Sequence, residues 1–366
     1  MRVLMLSKAC VVGAYQRKLE ELARQPGVEL TCLVPPYWRQ DGTPIPLERA
    51  HVQGYRLAVT PLRFNGHFHL FYFRGLAAWL ARTRPDIVHI DEEPYNLATG
   101  LAMRLAVRQG ARRLFFTWQN LFRRYPPPFS LWEQYAFRRT HYALAGNREA
   151  VQVLRRKGYR GPVAVIPQFG VDPAVFYPRP RPPRAAFVIG YAGRLVEEKG
   201  LLLLLEAVAR LRGAWCLQLV GSGPLQPALV RRAQQLGIAE RVDLRPHVPS
   251  SAMPEIVAGW DVLALPSLTR PNWKEQFGRI LIEAMASGVP CVGSDSGEIP
   301  HVLGEAGLVV PEGAVDALHA ALARLQEEPT LRRELAERGR ARVLAHFTHT
   351  RIAEQTYAVY RAVLAA

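Results

Sequence analysis

The sequence predicts an α/β protein with two domains, each built on a doubly wound parallel sheet. Three observations carry that prediction. Short apolar strand patterns alternate with helical patterns in two separate series. A run of prolines and arginines, Pro178-Arg179-Pro180-Arg181-Pro182-Pro183, separates the series. The length of 366 residues accommodates two domains of ordinary size.

In the first series, 3–6, 30–34, 87–90, 114–117, 142–145 and 163–166 read as strands. Helical patterns lie between most of them, as at 97–108 and 148–157. A strand–helix–strand rhythm implies parallel pairing through crossovers, the Rossmann-like arrangement. Residues 35–75 break the rhythm; rich in Pro, Gly and aromatics, they read as loops with a hairpin-like excursion. Proline removes a backbone donor and favours an extended chain, so the run at 178–183 reads as a linker. The second series has strands at 188–192, 216–220, 242–245, 262–265, 290–293 and 308–310. Helical segments close the chain at 314–326, 331–346 and 348–363.

The hydrophobic content, 49%, is that of a soluble globular protein. Charge or proline interrupts every long apolar run, so no segment is read as crossing a bilayer. Residues 1–6 run directly into Ser7-Lys8 and read as a buried strand, not a signal peptide. Cys10, Cys32, Cys216 and Cys291 are widely spaced and read as reduced core thiols of a cytoplasmic protein. Charge is uneven. Residues 1–170 hold 25 Lys+Arg and 11 Asp+Glu, a net of +14; residues 171–366 hold 22 and 20, a net of +2. One reading is solvated helix faces in an arginine-rich chain. The other is a surface attracted to anionic headgroups, at ~1 kcal/mol per cation, or to an anionic acceptor. No aromatic-interleaved basic motif occurs, so nucleic acid is not an expected partner.

The densest signal lies at 274–290, where Glu275 and Glu283 stand eight positions apart around Phe277-Gly278. The pattern reads as strand, polar loop and then a helix from about Phe277. Glu275 falls on the loop and Glu283 about two turns into the helix. The backbone N–H groups of Gly278, Arg279 and Ile280 are open donors at a helix start, where an anion is favoured. Acids on either side of an anion site suit a sugar–diphosphate–ribose.

This stretch resembles the E-x7-E signature of the retaining glycosyltransferases of family 4, which have the two-domain GT-B fold. Three further segments are similar to that family in the same order. They are Gly193-Arg194-Leu195 through Glu198-Lys199-Gly200, Gly221-Ser222-Gly223-Pro224, and Val165-Ile166-Pro167-Gln168-Phe169-Gly170-Val171-Asp172 through Phe176. The resemblance implies two Rossmann-like domains facing a cleft, with the last helix crossing back to the first. The domains are then 1–170 with about 350–366 for the acceptor, a hinge at 171–184, and 185–349 for the nucleotide sugar. It implies that Arg194 and Lys199 neutralise the leaving diphosphate. Glu275 then holds sugar hydroxyls and stabilises oxocarbenium charge, and Glu283 accepts from the ribose. Gly193, Gly221 and Gly223 shape the donor turn, with His247 and Val248 near the base; Phe277 shapes the sugar pocket or packs in the core. No metal or other cofactor is implied.

The first domain departs from the family pattern. Its opening turn, Val12-Gly13-Ala14, has one glycine, and Gly13 is the residue that would approach the diphosphate. Phe116-Thr117-Trp118-Gln119-Asn120 places Gln119 where relatives carry a histidine that contacts the donor sugar. Glutamine can donate and accept there but cannot carry a proton. Asp91, Glu92 and Glu93 follow a strand and read as acceptor-hydroxyl ligands or as a solvated loop; with no His or Cys nearby they do not read as a metal site. The expectation is a metal-independent, retaining transferase. It would move sugar from a nucleoside diphosphate to a lipid-linked or saccharide acceptor, in the cytoplasm or at the inner membrane face. A nucleotide-sugar epimerase and a non-catalytic nucleotide-sugar-binding protein are the rivals.

Overall fold

The computed structural model describes residues 1–40, 42–180, 184–246 and 248–365. The chain divides into two compact units, Met1–Gly170 with His349–Ala366, and Val171–Thr348.

Among the described residues, eleven strands and six α-helices belong to the first unit. The strands are β1 (Arg2–Leu6), β2 (Glu29–Val34), β3 (Tyr37–Gln40), β4 (Thr43–Pro46), β5 (Arg56–Val59), β6 (Leu62–Arg63), β7 (Tyr72–Phe73), β8 (Ile87–Ile90), β9 (Arg112–Thr117), β10 (Tyr142–Ala145) and β11 (Val163–Val165). The helices are α1 (Arg17–Ala23), α2 (Leu76–Thr83), α3 (Leu97–Arg108), α4 (Phe129–Arg139), α5 (Arg148–Arg156) and, from the end of the chain, α13 (His349–Ala365). Seven strands form one sheet in the order β11-β10-β9-β8-β1-β2-β5, all parallel. Fully buried strands such as β8, Ile-Val-His-Ile, carry the near-continuous apolar runs that a sheet covered on both faces requires. One face packs Leu4, Val88, Phe115 and Met103. The other packs Met5, Leu19 and Leu114 with Ile352 and Tyr360 of α13. His89 Nδ1 lies 2.6 Å from the Tyr360 hydroxyl, tying the sheet to the last helix.

The second unit holds β12 (Phe187–Ala192), β13 (Trp215–Val220), β14 (Val242–Arg245), β15 (Val262–Leu265), β16 (Cys291–Ser294) and β17 (Leu308–Val310). Its helices are α6 (Leu201–Val208), α7 (Gln226–Gln235), α8 (Met253–Ala258), α9 (Arg279–Ala286), α10 (Ile299–Leu303), α11 (Val315–Glu327) and α12 (Pro329–His346). The sheet is again all parallel, in the order β14-β13-β12-β15-β16-β17. All four cysteines are free. Among the described residues no helix is long and apolar enough to cross a membrane.

The structure corrects the reading of 35–75. That stretch is more ordered than loops with one excursion. β3 pairs with β4 and β6 with β7 as two antiparallel hairpins, and β5 is a full member of the parallel sheet. Arg56-Leu57-Ala58-Val59 is a short edge strand half exposed to solvent, so its apolar pattern is weak.

Candidate functional site

In the second unit the strands deliver their following loops to one edge of the sheet, beyond the carboxyl ends. Such edges bind ligands in open α/β sheets. After β12, Gly193 donates its N–H to Val220 O at 3.0 Å, and after β13, Gly221 donates to Arg245 O at 3.0 Å. These turns lie backbone against backbone. Gly221 has φ +147°, and a Cβ there would sit 1.9 Å from Gly193 O; one on Gly223 would sit 2.3 Å from Leu195 O. Only glycine serves at both places. Arg194 is exposed, and its carbonyl accepts from the Tyr191 hydroxyl at 2.8 Å. Burial first, then the charges of Glu275 and Glu198, push the Tyr191 phenol up. That proton stays on, and Tyr191 remains a donor that fixes the turn.

Lys199 ends a short 3-10 turn before α6, and its Nζ lies 2.6 Å from Glu275 Oε2. Ser267 Oγ, just past β15, donates to the same oxygen at 3.0 Å. Lys199 also faces the Trp273 ring, 4.5 Å from its centroid. The Glu275 carbonyl accepts from Glu298 N at 3.2 Å, which holds the loop carrying the acid. So Lys199, Glu275, Ser267 and Trp273 form one constellation.

Gly278, with φ +73°, starts α9, and Arg279 and Ile280 follow as its first turn. Glu283 pairs with Arg279 on the same helix, Oε1 to Nε 3.0 Å. Burial raises its carboxyl above the usual range and Arg279 opposes this. Phe277 is buried, its ring 5.8 Å from that of Phe347, so the side chain is core and only its backbone is left for a pocket. Val248 is partly buried after β14; His247 lies outside the described residues.

The first unit treats its predicted residues differently. Asp91, Glu92 and Glu93 are buried, so the solvated-loop reading fails. Asp91 Oδ2 accepts from Ser7 Oγ at 2.7 Å and Gln168 Nε2 at 2.9 Å. Glu92 accepts from Lys8 N at 2.9 Å and pairs with Lys8 Nζ. Glu93 accepts from Thr117 Oγ1 at 2.6 Å and Trp118 N at 2.8 Å, and burial raises its carboxyl to about 7. Asp91 Oδ1 is buried and left without a partner. Gln119 Oε1 accepts from Lys157 Nζ at 2.9 Å, and Lys157 also pairs with Glu133 at 2.6 Å. The Gly13 N–H donates to Glu48 Oε2 at 2.6 Å, so an internal carboxylate holds the amide expected to approach a diphosphate.

Sequence reasoning missed Ser267, Trp273 and Lys157. Trp273 had a local signal: Arg270-Pro271-Asn272-Trp273 has the Pro-Asn centre of a β-turn. Lys157 had none, because its partners Gln119 and Glu133 are distant in sequence. Among the described residues no group of three or more His, Cys, Asp or Glu stands close enough to hold a metal ion.

Two sequence profiles match. Glycosyltransferase Family 4 matches residues 15–175, and Glycosyl transferases group 1 matches residues 179–342. The chain is 35% identical over 206 residues to the MMP alpha-(1->4)-mannosyltransferase of Mycolicibacterium hassiacum, covering 55% of this chain and 48% of that protein. It is 25% identical over 355 residues to the alpha-D-kanosaminyltransferase of Streptomyces kanamyceticus, covering 86% and 90%. The chain thus spans about half the length of the first relative and most of the second. Among solved structures, sucrose-phosphate synthase from Thermosynechococcus elongatus superposes with a TM-score of 0.73 at 21% identity, covering 100% and 99%. Anabaena Alr3699/HepE in complex with UDP superposes with 0.76 at 18%, covering 99% and 100%. At these identities the structural matches speak for the fold.

Proposed function

Because the chain belongs to glycosyltransferase family 4, we propose that it transfers a sugar from a nucleoside-diphosphate donor to a hydroxyl of a lipid-linked or cell-surface polysaccharide precursor, with retention. One observation carries this reading. Lys199 and Glu275 meet at 2.6 Å beside the glycine turns, on the ligand-binding edge of the second sheet. Breaking the anomeric C–O bond puts negative charge on the leaving phosphate, and preorganised cations lower that barrier. Lys199 and the exposed Arg194 supply them. Glu275 faces the sugar and stabilises positive charge at the anomeric carbon. Glu283 receives the ribose hydroxyls by exchanging Arg279 for them. The leaving phosphate takes the acceptor proton, so no protein base is needed, and with two cations in place the reaction needs no metal. The kanosaminyltransferase and mannosyltransferase relatives are named for sugar transfer, and the neighbour bound to UDP is named for a nucleoside diphosphate.

The test is turnover of a nucleoside-diphosphate sugar panel, with EDTA as a parallel arm. Wild type turns over at least one donor, EDTA leaves the rate unchanged, and Glu275→Ala loses most of it. An unchanged Glu275→Ala rate sinks the role given to that acid.

The first unit supports an anionic membrane surface as partner. From Arg49 to Arg84 the chain carries Arg49, Arg56, Arg63, Arg74, Arg82 and Arg84 with no acid. Grooves flank α2 on both sides. One, of about 530 Å³, is lined by Arg74, Ala78, Trp79 and Arg82; the other, of about 330 Å³, by Leu101, Arg104, Leu105 and Arg108. Apolar floors with arginine rims suit headgroups over acyl chains better than nucleic acid. Vesicles rich in phosphatidylglycerol should pellet the protein and neutral ones should not; equal pelleting retires the idea.

A further inference from the structure

We propose that Trp273 is the wall of the sugar subsite and selects the donor sugar. This rests on the reading of Lys199 and Glu275 given above, and adds a residue that none of the sequence motifs contains. Lys199 lies between two neighbours: the Glu275 carboxylate at 2.6 Å and the face of the Trp273 indole, 4.5 Å from Nζ to centroid. A cation over a ring face fixes both partners. The indole therefore stands beside the acid assigned to the sugar, one side turned to the pair and the residue only partly buried.

The loop under Trp273 is built to keep it there. Arg270 N donates to Trp273 O at 2.7 Å and Trp273 N donates to Arg270 O at 3.2 Å, closing a turn with Pro271 and Asn272 at its centre. Proline presets the first central φ and asparagine tolerates the second position. The turn is anchored before and after. Thr269 Oγ1 donates to Glu312 Oε1 at 2.5 Å and lies 3.1 Å from Ser296 Oγ, and Glu298 N holds the Glu275 carbonyl. A partly buried tryptophan on a pinned turn, beside a carboxylate and an ammonium, has the chemistry of a pyranose site. The ring face takes sugar C–H groups and the acid takes hydroxyls. Aromatic side chains carry large contact area on few rotors, so little order is lost when they bind.

The experiment separates sugar from nucleotide. Binding of a nucleoside diphosphate and of the same nucleotide carrying different sugars is measured by calorimetry, and turnover alongside, for wild type, Trp273→Phe and Trp273→Ala. Trp273→Ala should lower kcat/KM for the preferred donor by about 10- to 100-fold. It should flatten the ranking among sugars and leave nucleoside-diphosphate affinity within about threefold. Trp273→Phe should recover part of the loss. An unchanged sugar ranking in Trp273→Ala overturns the proposal. So does an equal loss for diphosphate and sugar donor, which would mean the indole acts only through Lys199. A wild type that binds no nucleoside diphosphate sinks the parent reading, and this one with it.

Discussion

The two units share a topology and use it in opposite ways. Each is a parallel sheet with polar residues beyond its strand ends. In the first unit those residues are consumed internally: Glu93 by Thr117 and Trp118, Glu92 by Lys8, Lys157 by Glu133 and Gln119. In the second unit the strand ends are glycine turns with Arg194 exposed, and the Lys199–Glu275 pair is less covered than the Lys157–Glu133 pair. A buried, well-partnered network stiffens a fold, whereas a less covered pair exchanges partners at lower cost. Similar chemistry is thus fully enclosed in one unit and, under the proposed function, offered to a ligand in the other. This difference can be broken by experiment.

The largest effect is expected at Lys157. Lys157→Ala leaves the Glu133 carboxylate buried without its cation and removes the donor to Gln119. Breaking one side of a buried pair costs about 3–5 kcal/mol. The first unit should lose that stability in denaturant unfolding, while a nucleoside diphosphate still stabilises the second. A change below about 1 kcal/mol would place Lys157 with the open-edge residues and dissolve the contrast.

Lys199→Ala should do the converse. Loss of one preorganised charge contact costs about 2–5 kcal/mol in the transition state, a fall in kcat of about 30-fold to several thousand-fold. Its folding cost should be less than half that of Lys157→Ala, because Glu275 keeps the Ser267 hydroxyl and lies nearer water. Donor turnover and thermal unfolding on one preparation decide it. A large drop in stability with unchanged kcat would reverse the assignment.

Gly221→Ala probes the turn on which the open edge depends. The new Cβ would stand 1.9 Å from Gly193 O at φ +147°, so backbone must move. The expected cost is about 3 kcal/mol, confined to the second unit. A normal unfolding midpoint would show that the turns are not locked together.

The sequence made the second unit legible because its candidate site is local. Glu275 and Glu283 share one short stretch, Arg194 and Lys199 another, and each glycine sits where its own turn needs it. Apolar runs such as β8 and β15 announced both sheets. The first unit hid its chemistry because burial is not written in spacing. Asp91, Glu92 and Glu93 read as loop acids, yet their partners Ser7, Lys8, Thr117 and Gln168 come from distant segments. Edge strand β5 was missed for a related reason, since a half-exposed strand lacks a continuous apolar run.

The subtlest effect, because it is felt only as a change with pH, is the titration of the first unit. Burial lifts the Glu93 carboxyl from 4.5 to about 7, against its bonds from Thr117 and Trp118 and the nearby Lys8, with Glu92 adding to the rise. Below pH ~4.5 the group is protonated in both folded and unfolded chains and contributes nothing. Between about 4.5 and 7 the unfolded chain releases a proton that the folded one keeps, so stability falls as pH rises. Above about 7 the loss is complete, on the order of 3 kcal/mol at 1.36 per unit. Buried His89 and half-buried His69 act the other way. Burial lowers both, so their contribution is lost as pH falls through the unfolded value near 6.5. The raw stability curve mixes these signs, but the difference between wild type and Glu93→Gln does not. Glu93→Gln should be the more stable protein at pH 8, and the gap should close toward pH 5. A gap that is constant with pH would mean Glu93 is ionised in the folded unit, and the polar network of the first unit would then be as open to solvent as the edge of the second.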